Sequence, residues 1–471
     1  MRGCDQPAHN SSFLRKKFDG MVQAMISSTT LRTGAWYGDK EIELRTPSGW
    51  DIKVLWPATP PPLTNEDLAI RLERPVGQIS FKKMCEGKSR PIIIVDDLNR
   101  PTPTARVMPL LLKCLSDAGI PKQNITILMA TGSHGEPRPD AMLKKVGPEA
   151  ASSCRLLIHD CFRNVKQIGK TTFGTPVLVN QAVMECDMVI GVGGIYPNHT
   201  AGFGGGSKLA LGILGIRTIY HLHFRHKVAG WGVSNSNNTL RRELDEIAGM
   251  IGMNTTLCLV IDADRNIIQM YCGDQRKYFQ EAITFYRETF RTSLPADAEV
   301  IISNTYPNDL SLTFARMKGF VPLNSCKSGT SRIAIASCSE GLGLHNIFPC
   351  VNVLRFHWPQ HITRRLSVMS PGEILCKTGG VLKRKVRARF KNSPLRRMTL
   401  KNAVERPVNP IWLYRPGDQA EKLLSHVPGI HIVSEWSEIV EAIRKEQANR
   451  NSLKVLIYPC AFLQLPEEGL L

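Results

Sequence analysis

The chain predicts an α/β protein: two α/β domains with largely parallel sheets and an active site in the cleft between them. Three observations carry this. Short apolar runs of strand length, such as Pro91–Val95 and Ile125–Met129, alternate with helix-like segments, the pattern of parallel strands joined by crossover helices. The pattern restarts after about residue 295, at Val300–Ile302. A length of 471 residues exceeds what one ordinary core fills. The expected division is an N-terminal extension over 1–35, a first domain over 36–295, and a second over 296–471 with a basic insertion near 383–401.

Taken in order, alternation at Ile42–Leu44 and again at Ile52–Leu55 reads as a hairpin across Pro47-Ser48-Gly49. A proline-rich link, Pro57 to Pro62, leads to a helix near Leu68–Leu72. The buried strand Pro91–Val95 ends in Asp97, Asn99 and Arg100, and polar residues past such a strand sit where open α/β sheets place ligands. Turn formation before Pro101 explains Asp and Asn there equally well. A helix over Val107–Ala118 and a strand over Ile125–Met129 follow, the latter running into Thr131-Gly132-Ser133-His134. Next come a helix at Asp140–Val146, a strand at Arg155–His159, a hairpin-like segment at Gly174–Val179 and a buried strand from Met188. In the second half, Arg332–Ala336, Ile411–Tyr414, Ile430–Val433 and Val455–Tyr458 read as strands. Helices are expected after Tyr306-Pro307, carrying Lys318, and near Gln419–Leu424 and Trp436–Gln447.

The stretch from Val192 to His226 concentrates the chemistry. Gly204, Gly205 and Gly206 lead directly to Lys208, and His221, His223 and His226 crowd the end of the apolar segment that follows. Glycine lets backbone N–H groups approach phosphate or carboxylate closely. A lysine there is an anion contact or, with a lowered pKa, a nucleophile. Imidazoles are transition-metal ligands. The spacing is neither a phosphate-binding GxxxxGK[ST] loop nor a clean GxGxxG.

A formal net charge of +19 draws nucleic acid or small carboxylate and phosphate ligands. Part of the excess lies in Lys383, Arg384, Lys385, Arg387, Arg389, Lys391, Arg396, Arg397 and Lys401, which read as a solvated insertion; scarce aromatics argue against single-strand stacking, so nucleic acid is not the expected partner. The thirteen cysteines include no CxxC pair, which gives no zinc ribbon or disulfide scaffold. No apolar run spans a bilayer and the first 35 residues show no signal-peptide core, so a cytoplasmic, membrane-free protein is expected.

Together, Asp97–Pro103, Ala130–His134, Ala201–Lys208 and Tyr306–Asp309 with Lys318 resemble the successive signatures of the nickel-dependent lactate racemase family, from about Tyr37 onward. The resemblance implies two α/β domains around a nickel-pincer nucleotide, a pyridinium mononucleotide with thioamide and thiocarboxylate arms, bonded through its thioamide to Lys208. The nucleotide phosphate would lie against Gly204–Gly206. Aligned on Arg217-Thr218-Ile219, His223 is the implied nickel ligand, with His221 and His226 as alternatives. His134 would take a hydroxyl proton from a small 2-hydroxy acid while hydride leaves its α-carbon. Arg100 and Lys318 would face substrate and cofactor, and Asp97 would orient a partner. Proteins that synthesise the cofactor are implied partners.

Three positions depart from that pattern. The second family histidine falls on Asn198, with His199 next to it, so these two are the candidates for that place. Gly135 stands where many members carry arginine, and Gly204 replaces a serine. Asparagine cannot serve as a base near neutral pH. The expectation is a racemase or epimerase acting at C2 of a 2-hydroxy acid other than lactate; the alternative is a non-catalytic member that binds the cofactor or an anion.

Overall fold

A computed structural model describes residues 25–234, 238–253, 255–294, 297–347, 409–416, 427 and 429–466. Two six-stranded sheets organise it. The first has the order Ile267–Gly273, Thr255–Ile261, Met188–Gly194, Pro91–Asp96, Thr126–Ala130 and Arg155–Ile158. All neighbours are parallel except the edge strand Ile267–Gly273, which runs against Thr255–Ile261. The second sheet is parallel throughout, in the order Ile430–Val433, Ile411–Tyr414, Ser331–Ile335, Val300–Asn304, Leu453–Tyr458 and Trp50–Val54.

Continuous apolar strands follow from burial on both faces. Ile93, Val95, Ile127 and Met129 pack beneath Leu111, Leu112 and Leu115 of the helix Met108–Asp117. Ile92, Ile94 and Leu128 face the opposite way, onto Ile219 and Leu222 of the helix Ile216–Arg225 and Leu244 and Ile247 of the helix Thr239–Met250. Truncating one such side chain, as in Leu112→Ala, costs about 2–5 kcal/mol. In the second sheet Val300, Ile302, Ile333, Val455 and Ile457 bury against Ile439, Val440 and Ile443 of the helix Trp436–Glu446.

Several expectations are corrected. Met25–Thr33, inside the expected extension, is a strand paired antiparallel with Lys40–Pro47. There is no hairpin across Pro47-Ser48-Gly49: Lys40–Pro47 pairs with Met25–Thr33, whereas Trp50–Val54 joins Leu453–Tyr458 in parallel. The segment before residue 55 therefore contributes to the second sheet, and the division at 36–295 does not describe that sheet. Thr33, Gly34 and Ala35 anchor it further, since Thr33 Oγ1 and the two backbone N–H groups all donate to the buried Asp309 carboxylate at 2.7–3.1 Å. The antiparallel pair at Thr255–Ile261 and Ile267–Gly273 adds an edge that the sequence reading passed over. The segment around Lys208 is a 3-10 helix, Gly206–Ile213, that precedes the α-helix carrying the histidines. The expected helix at Gln419–Leu424 and the basic run 383–401 lie outside the described residues. Among the described residues, no helix is long and apolar enough to cross a membrane, and the cysteines are free thiols.

Candidate active site

Three neighbouring parallel strands of the first sheet end on the same edge, and their loops carry the functional groups. Pro91–Asp96 leads to Asp97 and Arg100, Thr126–Ala130 to His134, and Met188–Gly194 to Asn198, His199 and the glycines. Parallel strands place successive C-terminal loops side by side, which is why motifs distant in sequence converge. The second domain adds Lys318, on the turn Ala315–Gly319, and the loop after Ser331–Ile335. Asp97, Arg100, His134, Asn198, His199, Gly204, Gly205, Gly206, Lys208, His223 and Lys318 all line one cleft, which encloses about 1140 Å³ including its open mouth.

A buried ion pair fixes the first loop. Lys145, 0% exposed, sends Nζ to Asp96 Oδ1 at 2.9 Å and to the carbonyls of Arg100 and Thr102 at 3.0 and 3.1 Å. Asp96 Oδ2 accepts from Thr102 Oγ1 at 2.7 Å and from the Gly194 N–H at 3.1 Å, so one carboxylate ties two strand ends together. Beside it, His134 Nδ1 lies 2.6 Å from Asp97 Oδ2, which also accepts from Asn99 Nδ2 at 2.8 Å. Burial pushes the Asp97 carboxyl up, but His134, Arg100 and Asn99 together outweigh it and hold the group well below its usual range. His134 is lowered: burial dominates over the attraction of Asp97, and Arg100 and Lys318 add to it. The ring is a neutral imidazole whose Nδ1–H donates to Asp97, leaving the Nε2 lone pair as its basic atom.

Cations crowd the other side. Burial, then Arg100 and Arg241, push the Lys208 amine down to about 7. Burial, with Arg100 and Lys208, takes Lys318 well below its ordinary value. The glycines before Lys208 need their freedom: Gly205 and Gly206 have φ of +80° and +55°, and a Cβ on Gly206 would stand 3.0 Å from the Phe279 ring. Arg241 braces this cradle from below. It donates to the carbonyls of Gly205 at 2.9 Å and Phe203 at 2.5 Å, with its guanidinium 4.1 Å over the Phe279 ring.

The three histidines now separate. On an α-helix, residues two apart point about 200° apart, so His221 and His223 cannot both face the cleft. His223 does. Its Nδ1–H donates to the Ile219 carbonyl at 2.7 Å, which leaves Nε2 as the atom with a lone pair. Burial, then Lys208, lowers it to about 4, so it is neutral near pH 7. His221 is buried and does not line the cleft. His226 uses both ring nitrogens, on Thr239 Oγ1 and the buried Glu243. Among the described residues, no group of three or more His, Cys, Asp and Glu gathers around a metal-sized point. A metal at His223 would be compatible with ligands carried by a cofactor. A buried amine with a lowered pKa, a glycine cradle and a single imidazole fit such a group.

At the second expected position Asn198 is tied into a turn, and His199 keeps its lone pair on Nδ1. Asn198 Oδ1 accepts from Thr200 N, Thr200 Oγ1 and Ala201 N at 2.7–3.0 Å, which spends its oxygen within the turn. His199 Nε2–H donates to the Met317 carbonyl at 3.1 Å, with its ring 4.9 Å from Trp231. The sequence reading missed His345, Lys145 and Arg241. His345 lines the cleft beside His134. Only isolated residues marked these positions, and an isolated residue has no pattern to read.

A family model described as the lactate racemase N-terminal domain matches residues 37–232, a span that contains Asp97, Arg100, His134, Lys208 and His223. Residues 37–232 belong to the lactate racemase family. Lactate racemase of Thermoanaerobacterium thermosaccharolyticum is 29% identical over 291 residues, covering 60% of this chain and 68% of the relative. The lactate racemase of Lactiplantibacillus plantarum is 28% identical over 283 residues, with coverages of 58% and 66%. In fold, the chain is similar to the lactate racemase apoprotein of T. thermosaccharolyticum, with a TM-score of 0.65 at 21% identity over 93% of this chain and all of that one. It also resembles a Thermotoga maritima protein, with a TM-score of 0.53 at 16% identity over 87% of this chain and 100% of the other. Both likenesses show the fold: α/β, with largely parallel sheets.

Proposed function

We propose that the protein is a racemase or epimerase that inverts C2 of a 2-hydroxy acid, with a nickel-pincer nucleotide attached through Lys208 and His223 as the protein's nickel ligand. The observation that carries this is Lys208: an amine pushed down to about 7, behind a glycine cradle and in one cleft with His134 and His223. A simple anion clamp favours a lysine that stays charged, so an amine lowered by burial and two guanidinium groups argues for covalent attachment over the non-catalytic alternative.

When bound, the cofactor supplies a hydride acceptor for C2. The chain's own residues do the rest. Arg100 offers a cationic donor for the substrate carboxylate, and Lys318, its amine lowered by burial, an N–H donor beside it. His134 Nε2 takes the C2 hydroxyl proton and returns it, with Asp97 holding the ring in the required tautomer. Gly204–Gly206 present backbone to the phosphate. Asn198, its oxygen engaged in the turn, offers Nδ2 to a ligand oxygen. That favours an acid with more oxygens than lactate, such as a polyhydroxy acid. The proposed setting is cytoplasmic, with cofactor-synthesis proteins as partners and neither membrane nor nucleic acid involved.

The test is intact mass and nickel content of protein co-produced with the cofactor-synthesis proteins, wild type against Lys208→Ala. A covalent increment and nickel in wild type, both lost in the variant, are expected. Loaded protein is then offered single enantiomers or epimers of lactate, glycerate, malate, tartrate and gluconate. No increment, with the same synthesis proteins loading a true lactate racemase, refutes the attachment.

A further inference from the structure

His345 enters the cleft from the second domain, and the backbone around it is built to bring it there. The Gly135 N–H donates to the Leu344 carbonyl at 3.1 Å and the Asn346 N–H to the Ser133 carbonyl at 2.8 Å, a one-rung antiparallel bridge pairing His134 with His345. Asn346 Nδ2 adds a second bond to the Ser133 carbonyl at 3.1 Å. The bridge needs glycine at 135, because a Cβ there would stand 2.9 Å from Leu344 Cβ. The imidazoles lie 5.3 Å apart between centroids, and Phe314 packs edge-on against His134 at 4.6 Å. His345 is 8% exposed, and what remains exposed lines the cleft.

Two neighbouring imidazoles invite a two-base reading, but their hydrogen bonds fix opposite tautomers. His134 Nδ1 faces a carboxylate, so it carries the proton and Nε2 carries the lone pair. His345 Nδ1 instead accepts the Ile347 backbone N–H at 3.2 Å. In the neutral ring the lone pair is therefore on Nδ1 and the proton on Nε2. A neutral imidazole with this tautomer has no second lone pair for a proton from the cleft. Any hydrogen bond it makes there is a donated one.

We propose that His345 is a substrate contact that donates from Nε2 to an oxygen of the bound acid, and not a second base. One domain thus supplies the proton acceptor, His134, and the other a donor for the oxygen that gathers negative charge as the proton leaves. The inference rests on the hydroxy-acid reading of the cleft. It gives the second domain a part in chemistry beyond the amine of Lys318.

Three measurements test it. In ¹⁵N-histidine-labelled apoprotein, with the His345 signals assigned by their loss in His345→Gln, the ring nitrogens should show a protonated Nε2 and a lone-pair Nδ1 near pH 7; the reverse tautomer overturns the proposal. In loaded protein, with the Lys208 adduct checked by mass, His345→Phe should lose about 10²-fold in turnover, while His345→Gln, whose amide can donate from the Nε2 position but cannot take up a proton, stays within about tenfold of wild type. A glutamine variant as inactive as phenylalanine would mean a base, and a phenylalanine variant as active as wild type would mean a spectator. Calorimetry with oxalate as a planar carboxylate probe needs no turnover: wild type and His345→Gln should bind alike and His345→Phe more weakly, and equal binding by all three counts against donation. Loaded wild type that turns over no acid while the oxalate order holds would refute the proposed function and leave the donor role standing.

Discussion

His134 Nδ1 and Asp97 Oδ2 lie 2.6 Å apart, and that contact decides which end of the imidazole does chemistry. The carboxylate accepts the Nδ1 proton, so Nε2 is the basic atom. The two residues lie in the loops that follow adjacent parallel strands, Thr126–Ala130 and Pro91–Asp96.

Asp97→Asn keeps the shape and removes the charge that selects the tautomer. Turnover should fall by about 10²–10⁴-fold, with the Lys208 adduct still formed. Because the Asp97 carboxyl is held below its unfolded value, its contribution to stability is full above the unfolded pKa and is lost as pH falls through the folded one. Acid unfolding of the variant should accordingly be less steep below about pH 4. Thermal melts across that range check it.

The Lys208 amine should react as a nucleophile near neutrality. Since the free amine attacks, labelling of apoprotein by trinitrobenzenesulfonate, read at the Lys208 peptide, should rise with pH through about 7 and then level off. Ordinary lysines titrate near about 10.4. Here the folded pKa lies below the unfolded one, so the unfolded chain binds the proton more readily between the two values. Stability should fall as pH drops through that window, and Lys208→Met should remove this slope.

Arg241→Met withdraws both donors from the Gly205 and Phe203 carbonyls and one of the two guanidinium charges that depress Lys208. The labelling midpoint of Lys208 should move up, and the yield of covalent cofactor should fall. A variant with an unmoved midpoint would show that Arg241 is not felt at the amine.

Gly135→Arg places a side chain where Leu344 Cβ would be 2.9 Å from the new Cβ. The 344–346 bridge should open and carry His345 away, reproducing the turnover loss of His345→Phe with attachment at Lys208 retained. Hydrogen exchange at the Asn346 amide, which donates to Ser133, should speed up in parallel.

Asp309→Ala leaves the Gly34 and Ala35 N–H groups and Thr33 Oγ1 without their buried acceptor. A loss of about 3–5 kcal/mol in folding stability is expected, measurable by urea denaturation.

Much of this molecule was legible in the sequence alone. Short uninterrupted apolar runs such as Ile92–Val95, β-branched and bounded by turn residues, read as strands covered on both faces, and strands alternating with helices imply parallel pairing. Parallel strands bring their C-terminal loops to one edge, so Asp97, Arg100, His134 and Lys208 could be assigned to one cleft before any coordinates existed. The tertiary structure alone decided the rest. Hydrophobic period encodes how much of a segment is buried but not which segment covers it; hence Trp50–Val54, which looked like half of a local hairpin, pairs with Leu453–Tyr458 some 400 residues away. Likewise, three closely spaced histidines carry no mark of which faces inward; the packing of the helix Ile216–Arg225 turned His223 to the cleft and gave His226 to Glu243. The opposite tautomers of His134 and His345 depend on single contacts, to Asp97 from the neighbouring strand end and to the Ile347 N–H two residues on, and neither contact exists until the loops have folded.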